Sequence, residues 1–244
     1  MGLTVHFKLA APADCSEEQA KKIVAAMRRV ALRFKRKGLV DSVSGIGHDH
    51  AARKLAVEFT KYRHPDYGEQ WTDVWPRQAE MFEVEVGEDC EPLRLGLGQY
   101  PSRVRHLGGE RPTRLGKGWR LASFSKTQFA SLHGWEYFQR CHCAVVEMLV
   151  AFRSLGLRVR ISDEGEYWPR RSVTALRRNL DEMNGVVAGA AGALKDLDEA
   201  IHGRSNVESP IFAHRQFEQL AAEGEAKRGA AIRRAEQEVS RLLT

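Results

Sequence analysis

The sequence lacks the long apolar runs and targeting segments that would place a protein in or across a membrane. No uninterrupted apolar run approaches the roughly 18 to 20 residues that a membrane-spanning helix needs. The first six residues also lack the basic start, the apolar core and the small-residue cleavage site of a secretory signal. We therefore expect a soluble, cytoplasmic protein with no membrane partner.

Cysteine is scarce too, with 4 in 244 residues, at positions 15, 90, 141 and 143. This pattern has neither the paired spacing of a zinc site nor the density of a small disulfide-rich domain. Cys141-His142-Cys143 looks like a metal or redox motif, but residues two apart on a helix point about 200° apart, so the thiols diverge. The sequence predicts reduced thiols and no cysteine-bound metal.

Motifs that would name an activity are missing as well. Gly96-Leu97-Gly98 lacks the third glycine and the following helix of a dinucleotide fingerprint. Segment 109–117 is followed by Gly118, where a phosphate loop needs Ser or Thr, and no Gly-x-Ser-x-Gly elbow is present. His48 and His50 match no zinc or iron signature and are only weak metal candidates. No cofactor or reaction is indicated, and whether the protein is an enzyme stays open.

Hydrophobic periodicity, in contrast, is strong at the start of the chain. Apolar and polar residues alternate from 4 to 9, which predicts a strand with one buried face. Ser16 and Gln19 resemble a capping box for a first helix, and Gly38 supplies its end.

The region from 39 to 118 predicts further strands and two irregular segments. The apolar runs that predict strands are 40–46, 55–59, 82–86 and 93–97. We interpret 62–78, which has no clear period, as a loop packed down by its aromatics. The Gly-, Pro- and Arg-rich segment 100–118 is interpreted as a long exposed connection.

A strand, a core helix and a second strand come next. Residues 121–124 form the first strand, residues 135–152 carry one apolar helical stripe, and Val159 and Ile161 mark the second strand. Such connections within one sheet are almost always right-handed with parallel strands. We therefore predict one right-handed βαβ unit at about 119–163.

The C-terminal region predicts long helices. One begins near Ser172, and three glycines between 185 and 192 weaken it by close to 1 kcal/mol each relative to alanine. We infer that another backbone passes close there, as in a tight helix pair. After a break at 203–210, the narrow apolar stripe from Ile232 to Leu242 is a candidate homodimer contact.

Together these elements predict an α+β (mixed α/β) fold. We expect a mainly antiparallel sheet, helices chiefly on one face, and a helical C-terminal region. The chain divides into a single domain at 1–202 and a C-terminal helical arm at 203–244.

Polar residues follow both strands of the predicted βαβ unit. They are Ser125, Lys126, Thr127 and Gln128 after the first strand, and Asp163 and Glu164 after the second. Ligands of open sheets tend to sit beyond the carboxyl ends of parallel strands. We therefore predict a pocket for a small polar or anionic ligand, with Lys126 and Asp163 facing each other across it. Trp168 and Arg171 would enlarge this pocket.

Four residues in this region could carry catalysis. Lys126 would hold an anion, Asp163 or Glu164 would act as acid, base or metal ligand, and His142 on the helix is a further candidate base. The alternatives are structural: a Lys126–Asp163 salt bridge, and a hydrogen-bonded core histidine unless a carboxylate lies nearby.

The charge suggests a different function. With 38 basic and 32 acidic residues, the chain has a formal charge of +6. The excess concentrates in the helix at 17–37 and in the loop at 101–118, which carries Arg103, Arg105, Arg111, Arg114 and Lys117. These segments could follow a phosphate backbone of nucleic acid, or form an inert basic surface.

Overall fold

The computed structural model describes residues 3–47, 58–64, 66, 68–106, 109–113 and 115–242. Within them the strands are β1 Thr4–Ala10, β2 Ser42–Val43, β3 Glu58–His64, β4 Gly68–Val74, β5 Gln78–Glu85, β6 Leu93–Gln99, β7 Arg103–His106, β8 Gly109–Pro112, β9 Arg120–Lys126 and β10 Arg158–Asp163. The α-helices are α1 Glu17–Arg36, α2 Trp135–Ala151, α3 Val173–His202 and α4 Phe217–Leu242. Short 3₁₀ helices span Gln128–His133, Phe152–Leu155 and Pro210–Ala213.

Six strands form the main sheet, in the order β10-β1-β9-β6-β5-β2. The strand pairs of this sheet are antiparallel, which confirms the predicted α+β fold with a mainly antiparallel sheet. Because β1 is antiparallel to both β9 and β10, these two strands run in the same direction. They are not neighbours, however, since β1 lies between them.

Helices α1 and α2 cover one face of this sheet, which we call the inner face. Val5, Phe7 and Leu9 project from β1 toward it and are buried. Helix α1 begins with the predicted capping box, in which Ser16 and Gln19 bond each other's backbone N–H groups. The opposite side of the sheet, the outer face, carries the residues that alternate with these buried ones.

Two segments that the sequence predicted to be irregular contain hairpin strands instead. Strand β3 begins at Glu58, within the predicted strand at 55–59, whose residues 55–57 lie outside the described part, and it continues into the predicted loop at 62–78, where it pairs with β4. Strand β7 pairs with β8 inside the predicted connection at 100–118. Cross-strand backbone hydrogen bonds hold both hairpins together. In the second segment, Thr113 Oγ1 also donates a hydrogen bond to the Pro101 carbonyl. Polar composition concealed both hairpins, because short strands with few apolar residues lack a clear period.

Helices α3 and α4 form an antiparallel pair, as the glycines of α3 predicted. A Cβ built on Gly189 would lie 3.0 Å from the backbone of Gly224, and one built on Gly224 would overlap the Gly185 carbonyl. The side chains of the predicted dimer stripe from Ile232 to Leu242 lie outside the described part. Among the helices that the structure describes, none has the length and apolar character needed to cross a membrane.

Candidate functional site

The two predicted polar turns lie at the same end of the sheet, but Lys126 and Asp163 project from opposite faces. In the strand register, Lys126 lies opposite Thr4, whereas Asp163 lies opposite Val5. Paired residues share a face, and successive residues alternate between faces. Lys126 therefore projects from the outer face and Asp163 from the inner face. The prediction that these two side chains face each other is wrong.

Lys126 pairs with Glu91 instead. Its Nζ lies 3.3 Å from Glu91 Oε1 and 5.8 Å from the centre of the Phe124 ring. Both partners of the ion pair are more than a third exposed, so it contributes little to stability. Ser125 Oγ is buried and donates to the Glu91 carbonyl at 3.0 Å. The alternative of a Lys126–Asp163 salt bridge is excluded by the same geometry.

Asp163 belongs to a buried network with His142 and Thr127. His142 Nε2 lies 2.9 Å from Asp163 Oδ1, and His142 Nδ1 lies 2.8 Å from Thr127 Oγ1. The carboxylate also accepts hydrogen bonds from the backbone N–H groups of Gly165 and Trp168, both at 2.8 Å. An ionised carboxylate can only accept a hydrogen bond, so His142 Nε2 carries the hydrogen and donates it to Asp163.

Burial and hydrogen bonding act on the Asp163 pKa in opposite directions. Burial alone would raise the pKa of the carboxyl, but the hydrogen bond and charge of His142, with the N–H groups of Trp168 and Gly165, outweigh it. The resulting pKa lies below its ordinary value of 3.8. Asp163 is therefore an ionised acceptor at neutral pH.

A hydroxyl, an imidazole and a carboxylate in this order can activate a nucleophile. The carboxylate that would favour a catalytic His142 is thus present. The three side chains have no exposed surface, however, and a Cβ built on Gly165 would lie 2.9 Å from His142 Nε2. The Thr127 hydroxyl is therefore closed to a substrate. We assign the network a structural role, joining the ends of β9 and β10 to α2.

Gln128 and Glu164 bind the start of the chain. Gln128 Oε1 accepts from Leu3 N at 3.1 Å, and its Nε2 donates to Asn184 Oδ1 at 2.8 Å. Glu164 Oε2 accepts from Thr4 N at 2.9 Å. The polar groups of both side chains, which were predicted to bind a ligand, make hydrogen bonds within the protein instead.

Trp168 and Arg171 lie away from the Lys126 side chain. The Trp168 ring centre is 4.8 Å from the Arg153 guanidinium and 5.3 Å from that of Arg171. Arg171 makes two hydrogen bonds to the Glu147 carboxylate, at 2.7 and 3.2 Å. These contacts bind the segment after β10 to α2.

The outer face of β10, β1 and β9 brings together cations that sequence reasoning did not connect. Lys8 lies opposite Arg160, and in the next row Ala10 lies between Arg158 and Arg120. Lys8, Arg158 and Arg160 are exposed, and within the described residues no acidic side chain pairs with them. We call Lys8, Arg120, Arg158 and Arg160 the cationic sheet face.

An aromatic row adjoins the cationic sheet face. His6 lies between Phe124 and Ser162, with the His6 and Phe124 ring centres 5.8 Å apart. Phe124 is 43% exposed although it belongs to a central strand. His6 Nε2 also lies 3.4 Å from Oε1 of Glu164, two residues after Ser162.

The Arg-rich segment at 101–118 extends from the end of the sheet that carries Arg120. The chain leaves β6 after Gln99 and returns at Arg120, which lies opposite Gly98. This connection contains the β7–β8 hairpin. Residues 113–119 connect this hairpin to Arg120 of the cationic sheet face.

The predicted cations of this segment differ in their surroundings. Arg103 pairs with an acid of its own hairpin at 2.8 Å. Arg105 and Lys117 are exposed, and Arg111 is half-buried. Arg114 lies outside the described residues. Arg105 and Lys117 therefore add positive charge at the solvent-facing end.

The basic residues of α1 lie on the other side of the sheet. Lys21 Nζ is 3.9 Å from Glu80 Oε1, and Glu80 lies opposite Leu97 on the inner face. The cations of α1 therefore lie on the inner side of the sheet, opposite the cationic sheet face.

In the part of the chain that the structure describes, no group of three or more His, Cys, Asp or Glu side chains is arranged to hold a metal ion. His48 and His50, the weak metal candidates, lie outside the described residues.

No protein-family model, curated protein or solved structure matches this chain. A functional interpretation therefore depends on the geometry of its own residues.

Proposed function

We propose that this protein binds nucleic acid on the outer face of its sheet, through the cationic sheet face. The supporting observation is that three of its cations, Lys8, Arg158 and Arg160, are exposed in strand register on the face opposite α1 and α2, with the half-buried Arg120 beside them. Phosphate contacts from Lys and Arg supply most of the sequence-independent affinity of nucleic-acid-binding proteins.

The arrangement of these charges favours binding over a stabilising role. Lys8 and Arg160 are directly opposite each other, and like charges in such pairs destabilise a sheet. Elsewhere on the outer face Arg94 has an acidic partner, with its Nε 3.3 Å from Glu83 Oε1. A phosphate backbone would supply the negative charge that Lys8 and Arg160 lack.

The spacing of the cations suits an extended polyanion. Arg158 and Arg160 are two residues apart, which is about 7 Å along a strand, and Lys8 lies about 5 Å from Arg160 across the sheet. Arg105 of the β7–β8 hairpin and Lys117, in the segment that leads back to Arg120, carry further exposed positive charge.

A small-molecule pocket at the strand ends has less support. Thr127, Gln128 and Asp163 are buried and hydrogen-bonded within the protein, and Lys126 pairs with Glu91. A ligand there would have to displace these contacts. We therefore propose no enzymatic reaction.

The proposal is tested by measuring binding of a short labelled oligonucleotide by fluorescence anisotropy, between about 50 and 200 mM KCl. Arg158→Ala/Arg160→Ala should weaken binding and reduce the salt slope by about 1.4, since each single-strand phosphate contact contributes about 0.7. The matched control, Arg29→Ala/Arg33→Ala, removes the same charge from exposed positions of α1. Equal losses in both double variants would show only a net-charge effect and refute the sheet face as the site.

A further inference from the structure

We infer that the nucleic acid bound on this face is single-stranded and that one of its bases stacks on Phe124. This inference rests on the proposed function, because it assigns the chemical form of the polymer and one contact at the same surface.

The exposure of Phe124 is the first observation. It is central in β9, has strands on both sides, and still presents 43% of its surface to solvent. The other aromatic side chain in its row, His6, lies with its ring centre 5.8 Å away at a 46° tilt. Strand β3 contacts β9, but Phe124 itself stays exposed. An exposed aromatic ring on a sheet is a platform on which an unpaired base can stack.

The positions of the cations around Phe124 are the second observation. Lys8 and Arg160 lie one row of the register away on one side. On the other side, Lys126 Nζ lies over the ring at 5.8 Å from its centre and is paired with Glu91. A base on the ring would thus have Lys8 and Arg160 beside it for a flanking phosphate, and Lys126 would have to move from above the ring. This alternation of stacking surface and basic side chains is typical of sites for single strands.

Duplex nucleic acid does not fit the aromatic part of this site. Its bases are stacked on each other and present only their edges in the grooves. To reach the face of a base, Phe124 would need the base to leave the helix, at a cost of unpairing and unstacking. The site should therefore prefer a single strand to a duplex of the same length.

The test compares three probes: a single-stranded oligonucleotide, its duplex, and heparin, which is a polyanion without bases. Phe124→Ala and Phe124→Leu should both weaken single-strand binding about 5-fold or more, as loss of one stacked base implies, and leave heparin binding unchanged. Phe124→Trp should retain single-strand binding. The leucine variant keeps apolar volume, so it separates stacking from a general apolar contact.

The outcomes distinguish this inference from the proposed function. If Arg158→Ala/Arg160→Ala weakens binding but both Phe124 variants bind the single strand as wild type does, the stacking inference is overturned and the proposed function stands. Tighter binding to the duplex than to the single strand would also overturn it. If wild type binds none of the three probes at low salt, or binds heparin alone, the proposed function itself fails.

Discussion

Replacing Asp163 with alanine should destabilise the fold severely, because its carboxylate is the acceptor at the centre of the buried network. Three donors depend on it: His142 Nε2 at 2.9 Å, and the N–H groups of Gly165 and Trp168 at 2.8 Å each. In Asp163→Ala none of them has an acceptor in the same place. The variant tests whether the network holds the strand ends against α2.

The expected loss follows from the desolvation of these donors. A buried donor left without a partner costs roughly 1–3 kcal/mol, and local relaxation recovers part of the sum. We therefore expect Asp163→Ala to lower the free energy of unfolding by about 3–5 kcal/mol, a large fraction of the roughly 5–15 kcal/mol typical of a domain. Asp163→Asn keeps one acceptor oxygen and should lose less, about 1–3 kcal/mol.

Urea unfolding followed by circular dichroism provides the measurement. Asp181→Ala is the matched control, since Asp181 is exposed on α3 and should change stability by no more than about 0.5 kcal/mol. If Asp163→Ala unfolds at the same urea concentration as the control, the network is not a structural centre.

Three further predictions concern pH and packing. Folding lowers the pKa of Asp163, so the ionised carboxylate contributes its full stability above the unfolded pKa of 3.8. This contribution is lost as the pH falls through the lower folded pKa, and the urea midpoint should drop there. The drop should be less steep in Asp163→Asn, which has no carboxyl group to titrate. Gly224→Ala should separate α3 from α4 and lower the melting temperature by several degrees, whereas the control Gly229→Ala, which meets only the flexible end of Arg233 at 3.3 Å, should not lower it. Lys126→Ala removes an exposed ion pair with Glu91 and should lower the free energy of unfolding by no more than about 1 kcal/mol. A larger loss would contradict the description of this pair as a weak surface contact.

Local periodicity was sufficient for the main elements of this fold. The alternation in β1, the capping box of α1 and the apolar stripe of α2 are properties of neighbouring residues, and each predicted the element that the structure contains. The glycines of α3 predicted a close backbone, which Gly224 of α4 supplies.

Long-range pairing was the part that local patterns could not supply. Strand β1 lies between β9 and β10, which follow it by more than a hundred residues, and this insertion sets Lys126 and Asp163 on opposite faces. The same insertion assembles the cationic sheet face. Lys8, Arg158 and Arg160 each occupy a polar position in an alternating strand, so their exposure could have been predicted, but their proximity depends on the register.

The central claim is that nucleic acid binds on the outer face of β10, β1 and β9, and chemical-shift mapping tests it most directly. In a titration of the isotope-labelled protein with a single-stranded oligonucleotide, the largest amide shifts should fall on Lys8, Phe124, Arg158 and Arg160 and extend into the β7–β8 hairpin. Shifts confined to α1, or spread evenly over the basic surface, would contradict the claim.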